Sequence, residues 1–209
     1  MKKKVCFILN LSIIVFAVIA NILTFTGTYS GTGLTSSGFS NFKYFTVLSN
    51  EFCGLVAIAK LLFDIKHKDF PLIYKLLAAS TVGLTFLTIA AFLGPIYGHA
   101  SLYKGANLYF HLIIPLIAMF EYILLDSSNS FVPFKQTFIT VLPVLIYGII
   151  YLANIFINGK GQRPNSNDWY GFLNWGLFAG IIIFIVLVFS TWCMACILRL
   201  LNQLLTSRK

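Results

Sequence analysis

Charge is what this sequence lacks most. Only 10% of its 209 residues are Asp, Glu, Lys or Arg, whereas 58% are hydrophobic, and the mean hydropathy is +0.87. A water-soluble domain of this length carries far more charge on its surface. Runs of about 20 apolar residues recur, which is the length that a helix needs to cross a bilayer. The sequence therefore predicts an all-α, polytopic integral membrane protein.

The apolar runs predict six transmembrane helices in one domain that covers residues 1–209. The connections are too short to fold as separate domains, and no internal repeat of the inverted-repeat transporter type is visible. The first run is longer than the apolar core of a secretory signal, so we expect it to be retained as a helix. The helices are predicted near residues 5–25, 43–64, 72–96, 105–125, 134–157 and 173–200.

Acidic residues are also scarce, 6 against 15 Lys and Arg, and the net charge is +9. Membrane topology explains this excess better than a nucleic-acid partner, because basic residues gather at cytoplasmic helix ends. With the N-terminus inside, the outer side receives only Lys43, Lys104, Lys160 and Arg163. The cytoplasmic side receives Lys2, Lys3, Lys4, Lys60, Lys66, Lys68, Lys75, Lys135, Arg199, Arg208 and Lys209. We expect a multi-pass cell-membrane protein with both termini cytoplasmic.

Cysteine chemistry and cofactors are not indicated. Cys6, Cys53, Cys193 and Cys196 all fall within predicted helices. The "WCMAC" segment has C-x-x-C spacing but lacks the strand-then-helix setting of redox motifs, so small core residues are the better interpretation. The sequence has no metal-ligand cluster, glycine-rich phosphate loop or haem-type histidine pair. We expect neither a metal nor a cofactor.

A few polar residues interrupt the apolar runs, and an ionisable group in hydrocarbon costs several kcal/mol unless it is paired or solvated. The ionisable ones are Glu51, His111 and Glu121, and the neutral ones that stand out are Thr46, Asn50, Asn107 and Asn154. By the helix rise, Thr46 lies roughly 5 Å below the outer boundary, Asn50 and Glu51 roughly 10–12 Å, and His111 roughly 9 Å. We expect the segments "FKYFTVLSNE" and "ANLYFHLIIP" to face each other.

Two interpretations of this polar layer compete. The residues could be interhelical hydrogen-bonding groups with a purely structural role. Alternatively, the Thr46 hydroxyl beside the His111 imidazole supplies the two groups that acyl transfer needs at least, a nucleophile and a general base. Thr46 and Asn50 share a helix face, whereas Glu51 is about 140° round from Thr46. His111 could contact Thr46 or Glu51, because the sequence does not give the rotation of the two helices about their axes.

The segments "FKYFTVLSN" and "YFHLIIPLIAMFEYILLD" resemble the paired motifs of a six-helix membrane family. That family includes the androgen-induced and androgen-dependent membrane proteins and a bacterial Pr6Pr-type branch. The resemblance implies a threonine hydrolase of fatty acid esters, with Thr46 as nucleophile after Lys43 and Tyr44. It implies His111, four residues before Pro115, as the base. A small acidic residue that the family has shortly after the threonine is replaced here by Ser49 or Asn50.

The hydrolase interpretation also requires supporting groups and a membrane lipid or fatty acid ester as substrate. Glu51, or failing that Asn50, is the candidate to orient the His111 ring. Asn107 or Asn154 is the candidate donor to the oxyanion. Glu121 lies too deep for contact with His111 and is expected to pair with Lys60.

Two other functions stay open. A transporter or proton-coupled carrier would use Glu51, His111 and Glu121 as a relay. A non-catalytic scaffold would use Thr46 and His111 only to bind each other. The sequence indicates neither the physiological substrate nor the oligomeric state.

Overall fold

The computed structural model of the protein describes residues 2–26, 38–125, 131–162 and 166–206. Within these ranges the secondary structure is helical, with no strand. Six helices are long and apolar enough to cross a membrane, which confirms the predicted all-α chain with six such helices. They are α1 (Lys2–Thr26), α2 (Phe45–Ile65), α3 (Leu72–Ile96), α4 (Ala106–Leu124), α5 (Phe134–Asn158) and α6 (Leu177–Thr206).

The last helix begins and ends later than the predicted range of 173–200. A short 3₁₀ turn, Phe172–Trp175, lies where the helix was expected to start. Gly171 and Gly176 flank this turn with positive φ angles of 74° and 90°, which interrupt a helix and which glycine adopts readily. The apolar and aromatic residues of the turn therefore belong to a loop that precedes α6.

Helix α3 lies at the centre of the bundle and packs against α2, α4 and α6. Helix α1 packs against α2 and α4, while α5 packs mainly on α6. Side-chain bonds show that successive helices alternate in direction, since Asn21 late in α1 meets Glu51 early in α2. We call the end where α2, α4 and α6 begin the loop end, and the opposite end the terminal end.

Two helices are interrupted by π-helical turns close to the loop end. The turns are Ile89–Leu93 in α3 and Tyr109–Ile113 in α4, and Pro95 and Pro115 follow them by two residues. Proline has no N–H, so the carbonyl four residues earlier loses its α-helical partner. A π turn re-pairs the backbone locally, and such turns often occur at functional sites. The second turn contains His111.

A buried polar cluster joins α1, α3 and α4 nearer the terminal end. Lys75 donates to the Asn10 side-chain oxygen at 2.5 Å and lies 3.0 Å from Glu121 Oε2. Asn10 in turn donates to Glu121 Oε1 at 2.7 Å. The predicted pairing of Glu121 with Lys60 is therefore wrong, because Lys60 binds Asp64 one helical turn away. Lys75 is also a buried residue and not one of the surface cations that a charge count assumes.

Candidate functional site

Thr46 lies in the first turn of α2, at the loop end, and is half-buried. The residue before this helix, Tyr44, provides no side-chain cap. Instead, the N–H of Phe45 donates to the Tyr170 hydroxyl at 2.9 Å, which satisfies one of the free donors of the first turn. The loop between α5 and α6 thus contacts the start of α2 directly beside Thr46.

A cavity of about 80 Å³ opens between α2, α3, α5 and α6 and reaches Thr46. Its wall is almost entirely aliphatic and aromatic, with threonine and tyrosine hydroxyls as the polar groups. Helix α6 lines it with Gly180, Phe184 and Leu187. The loop before α6 contributes Tyr170, Phe172 and Leu173 at the loop end. We call this space the larger cavity.

A smaller cavity of about 30 Å³ lies on the other side of Thr46, towards α4. Four residues line both cavities and form the wall between them: Thr46, Ile89, Leu93 and Tyr170. The smaller cavity adds polar groups, because Asn41 and Asn107 line it. Thr46 and Tyr170 are the two residues of the shared wall that carry a hydroxyl group, and this wall separates an apolar space from a more polar one.

His111 is buried in the π turn of α4. Its Nδ1 lies 2.8 Å from the carbonyl oxygen of Leu102. A carbonyl can only accept, so Nδ1 carries the proton and Nε2 is left as the acceptor nitrogen. His111 lines neither of the two cavities, and no hydrogen bond joins it to Thr46 in the described ranges. The described residues therefore show no hydrogen bond within the sequence-predicted pair.

Asn50 links the two predicted segments. Its side chain is fully buried and donates to the carbonyl oxygens of Thr46, at 2.7 Å, and of Phe110, at 3.0 Å. Its own side-chain oxygen has no hydrogen-bond partner among the residues that the structure describes. The bond from Asn50 holds Phe110, the residue that precedes His111, against α2. The expectation that the two segments face each other agrees with this contact, while a role of Asn50 in catalysis stays a prediction.

Glu51 is directed to a different neighbour. Asn21 of α1 donates to Glu51 Oε1 at 2.6 Å. The acceptor that orients the His111 ring is the Leu102 carbonyl and not the Glu51 carboxylate. The rotation of α2 therefore places Glu51 at the contact with α1, although its depth matched that of His111.

The two asparagines considered as oxyanion donors have different positions. Asn107 lines the smaller cavity together with Thr46. Asn154 accepts a hydrogen bond from Asn158 at 2.9 Å on α5 and lines neither cavity. Between the two, the geometry favours Asn107.

The loop before α6 holds functional candidates that sequence reasoning missed. Asp168 is buried, accepts a hydrogen bond from the Tyr151 hydroxyl, and accepts the Leu173 N–H at 3.1 Å. These bonds fix the loop that carries Tyr170. Burial raises the pKa of the Tyr170 hydroxyl to about 12, so it keeps its proton at neutral pH. The aromatic residues of "NDWYGFLNW" are the available signal in the sequence, but they do not indicate a contact with the start of α2.

In the described residues, hydrogen bonds do not connect Glu51, His111 and Glu121 into the relay that a proton-coupled carrier would use. Glu51 is bonded to Asn21, His111 to Leu102, and Glu121 to Lys75 and Asn10. Nor do the described residues bring three His, Cys, Asp or Glu side chains together as a possible metal site.

Comparisons of the chain with known protein families, with curated proteins and with solved structures find no match. The resemblance of the two segments to the six-helix family therefore stays a prediction. The function has to be argued from the two cavities and the residues between them.

Proposed function

We propose that the protein is an intramembrane hydrolase of lipid esters, with Thr46 as the nucleophile and the acyl chain of the substrate in the larger cavity. One observation supports this most. Thr46 belongs to the wall that separates an apolar cavity from a smaller cavity lined by two asparagines. An ester of a lipid has the same division, with an apolar chain on one side of the carbonyl and a polar group on the other.

The shape of the larger cavity suits an extended chain. It begins at Thr46 and Tyr170, and Leu187 lines it deep in the bundle. Leu187 follows the first residue of α6 by ten positions, which corresponds to about 15 Å along the helix. Gly148 faces the Phe184 ring so closely that an added Cβ would lie 2.0 Å from it. This glycine lets the aromatic side chain of α6 form the wall against α5.

The proposed reaction proceeds in two steps. The Thr46 oxygen attacks the ester carbonyl, its proton passes to a base, and the alcohol leaves with a proton to give an acyl-threonine ester. Water then attacks this ester, which releases the fatty acid and restores the hydroxyl. Tyr170 and Asn107 line the smaller cavity with Thr46 and are the proposed donors of hydrogen bonds to the oxyanion.

His111 is the proposed base. Because Nδ1 donates to the Leu102 carbonyl, Nε2 is in the form that accepts a proton. The step requires Nε2 to come within hydrogen-bonding distance of the Thr46 hydroxyl. The bond from Asn50 to Phe110 supports this role, because it holds the π turn next to the first turn of α2.

We also propose an orientation for the protein, with both termini in the cytoplasm and the loop end on the outer side of the cell membrane. Lys66 and Lys68 are exposed at the terminal end, as expected of a cytoplasmic turn. Trypsin added outside intact cells should then cut after Lys160, which is exposed at the loop end, and spare these two lysines. Cleavage after Lys66 by trypsin added outside would show that the protein has the opposite orientation in the membrane.

The decisive experiment compares purified Thr46→Ala and His111→Ala with the wild type. Each protein is incubated in detergent with a fluorophosphonate probe and, separately, with a fatty acid ester. Thr88→Ala is the matched control, because Thr88 lines the same larger cavity without belonging to the shared wall. We expect loss of labelling in Thr46→Ala and a fall in ester turnover of about 100-fold or more in both test variants.

The control should keep the turnover of the wild type. Thermal unfolding of every variant establishes that it is folded. The proposal fails if folded wild-type protein neither reacts with the probe nor cleaves esters of any chain length. It also fails if Thr46→Ala retains full turnover.

A further inference from the structure

Glu51 lies at the outer edge of the groove between α1 and α2, away from both cavities. It is half-buried, and the residues three before and four after it, Leu48 and Leu55, are 40% and 65% exposed on the same face of α2. Across the groove, Val18 and Ile22 of α1 are 52% and 55% exposed. In a bundle of this composition such a surface faces lipid chains. The carboxyl group thus borders the hydrocarbon region, about 9 Å from the first residue of its helix.

The partner of Glu51 is a neutral amide. The Asn21 side chain donates to Glu51 Oε1 at 2.6 Å and also to the carbonyl of Ala17 at 2.9 Å. The three ion pairs of the described ranges all join other residues. An amide donor stabilises a carboxyl group but does not neutralise a negative charge.

The charged and titratable groups of the elements around α2 are engaged elsewhere or lie at a distance. Lys43 lies over the rings of Tyr44 and Trp169, and Lys60 binds Asp64. On α3, Lys75 binds Glu121 of α4, and on the same α4 His111 binds the Leu102 carbonyl. The remaining titratable side chains described on these helices are Lys3, Lys4 and Cys6 near the start of α1, Cys53 in the core of α2, Tyr74 near the start of α3, and Tyr109 and Tyr122 of α4. The Tyr109 ring lies tilted against that of Phe16, and Tyr122 is buried. None of them faces Glu51 with a positive charge.

An ionised carboxylate in this position costs several kcal/mol, whereas the neutral acid keeps the same amide hydrogen bond without that cost. We propose that Glu51 holds its proton at neutral pH and, with Asn21, forms a proton-binding site on the lipid-facing surface of the bundle. The site is independent of the proposed hydrolase, because it shares no residue with either cavity. Its neutral carboxylic acid is the form that an apolar carbodiimide modifies.

The modification has a defined balance. The acid O–H adds across one C=N bond of the carbodiimide, with the proton going to nitrogen and the carboxyl oxygen to carbon. The acyl group then migrates to nitrogen and gives a stable N-acylurea. No atom is lost, so the peptide gains the full mass of the reagent. An ionised carboxylate lacks the proton that this addition requires.

The test treats the protein in phosphatidylcholine vesicles with dicyclohexylcarbodiimide at pH 7 and maps the adducts by peptide mass spectrometry. We expect Glu51 to be modified at least about 10-fold more than the buried, paired Glu121 and the exposed Asp69. Glu51→Gln should remove the adduct from this peptide.

Two substitutions of Asn21 distinguish an effect on the protonation of Glu51 from an effect on the access of the carbodiimide to it. Asn21→Leu removes the amide and leaves the acid neutral, so labelling of Glu51 should persist. Asn21→Lys places a cation opposite the carboxyl group and favours its ionised form, so labelling should fall about 10-fold or more. If either variant does not fold, the wild-type comparison of Glu51 with Glu121 and Asp69 still decides. Equal labelling of the three carboxyl groups, or none at Glu51, overturns the proposal.

Discussion

The side-chain amide of Asn50 donates to the carbonyl oxygen of Phe110 at 3.0 Å, and this hydrogen bond joins the segment of Thr46 to the segment of His111. The same amide donates to the Thr46 carbonyl at 2.7 Å. A fully buried group therefore fixes the distance between the first turn of α2 and the π turn of α4. Its replacement should affect stability and the proposed site together.

Asn50→Asp should be strongly destabilising, although it preserves the shape of the side chain. A carboxylate has no N–H, so one of its oxygens would face the carbonyl oxygens of Thr46 and Phe110 in a buried position. We expect a loss of about 2 kcal/mol or more in the free energy of unfolding, measured by thermal or denaturant unfolding in detergent. Asn154→Asp is the matched control, because among the described residues its side chain bonds to Asn158, which is exposed at the end of α5. The control should change stability by less than about 0.5 kcal/mol. Equal effects of the two substitutions would contradict the role of Asn50.

Asp168→Ala should loosen the loop that carries Tyr170. The carboxylate accepts bonds from Tyr151 and from the Leu173 N–H, and its Oδ2 lies 3.6 Å from the Lys160 ammonium group. Bonds to a charged group contribute about 1.5–3 kcal/mol, so their loss should speed cleavage after Lys160 by trypsin by about 10-fold or more.

The control for this experiment is Asn174→Ala. Asn174 accepts a bond from Lys160 at 3.0 Å, so its substitution removes this contact of the lysine and leaves all the contacts of Asp168 in place, including the one with Lys160. We expect little change in the rate of cleavage. If both variants are cut at the same rate, the lysine contact and not Asp168 holds the loop.

The six helices could be predicted from sequence because length and apolarity are local properties of each segment. The depth of Thr46, Asn50 and His111 followed from the helix rise in the same way. Rotation about the helix axis could not be derived, since neighbouring residues differ by about 100° and the packing partner is unknown. This is why Glu51, with a suitable depth, proved to face Asn21 of α1.

Long-range contacts were the second limit of the sequence. Counting Lys75 as a surface residue is reasonable for a lysine near a helix end, but Asn10 and Glu121, from two other helices, hold it in the interior. The contact between Tyr170 and the start of α2 joins residues 125 positions apart. No local pattern indicates such a contact. Pro95 and Pro115 are a local explanation of the π turns in α3 and α4, but we made no prediction of these turns from them.

Leu187→Trp should shorten the chain that the larger cavity accepts. Leu187 lines the cavity ten residues after the first residue of α6, so a larger side chain there fills part of the space that the helix borders beyond the loop end. On the proposed function, turnover of long-chain esters should fall about 10-fold or more while that of short-chain esters is retained. Ile185→Trp changes a lipid-facing residue of the same helix, 59% exposed, and should leave the chain-length profile unchanged. A uniform loss for all chain lengths would count against the cavity as the acyl site.

The cluster of Asn10, Lys75 and Glu121 allows a sharper test, because its single and double substitutions should differ in a characteristic way. Lys75→Met leaves the Glu121 carboxylate buried without its cation, which should cost about 3–5 kcal/mol of unfolding free energy. Lys75→Met combined with Glu121→Gln removes both charges and keeps an amide that can bond to Asn10, so it should recover most of that loss.

Unfolding in detergent measures both variants, and the coupling energy follows from the complete double-mutant cycle with Glu121→Gln alone. Strictly additive losses would mean that Lys75 and Glu121 act independently of each other. A strong coupling means instead that the pair has to be removed or kept as a unit, because the cost arises from the buried charge left behind and not from the loss of an attractive contact.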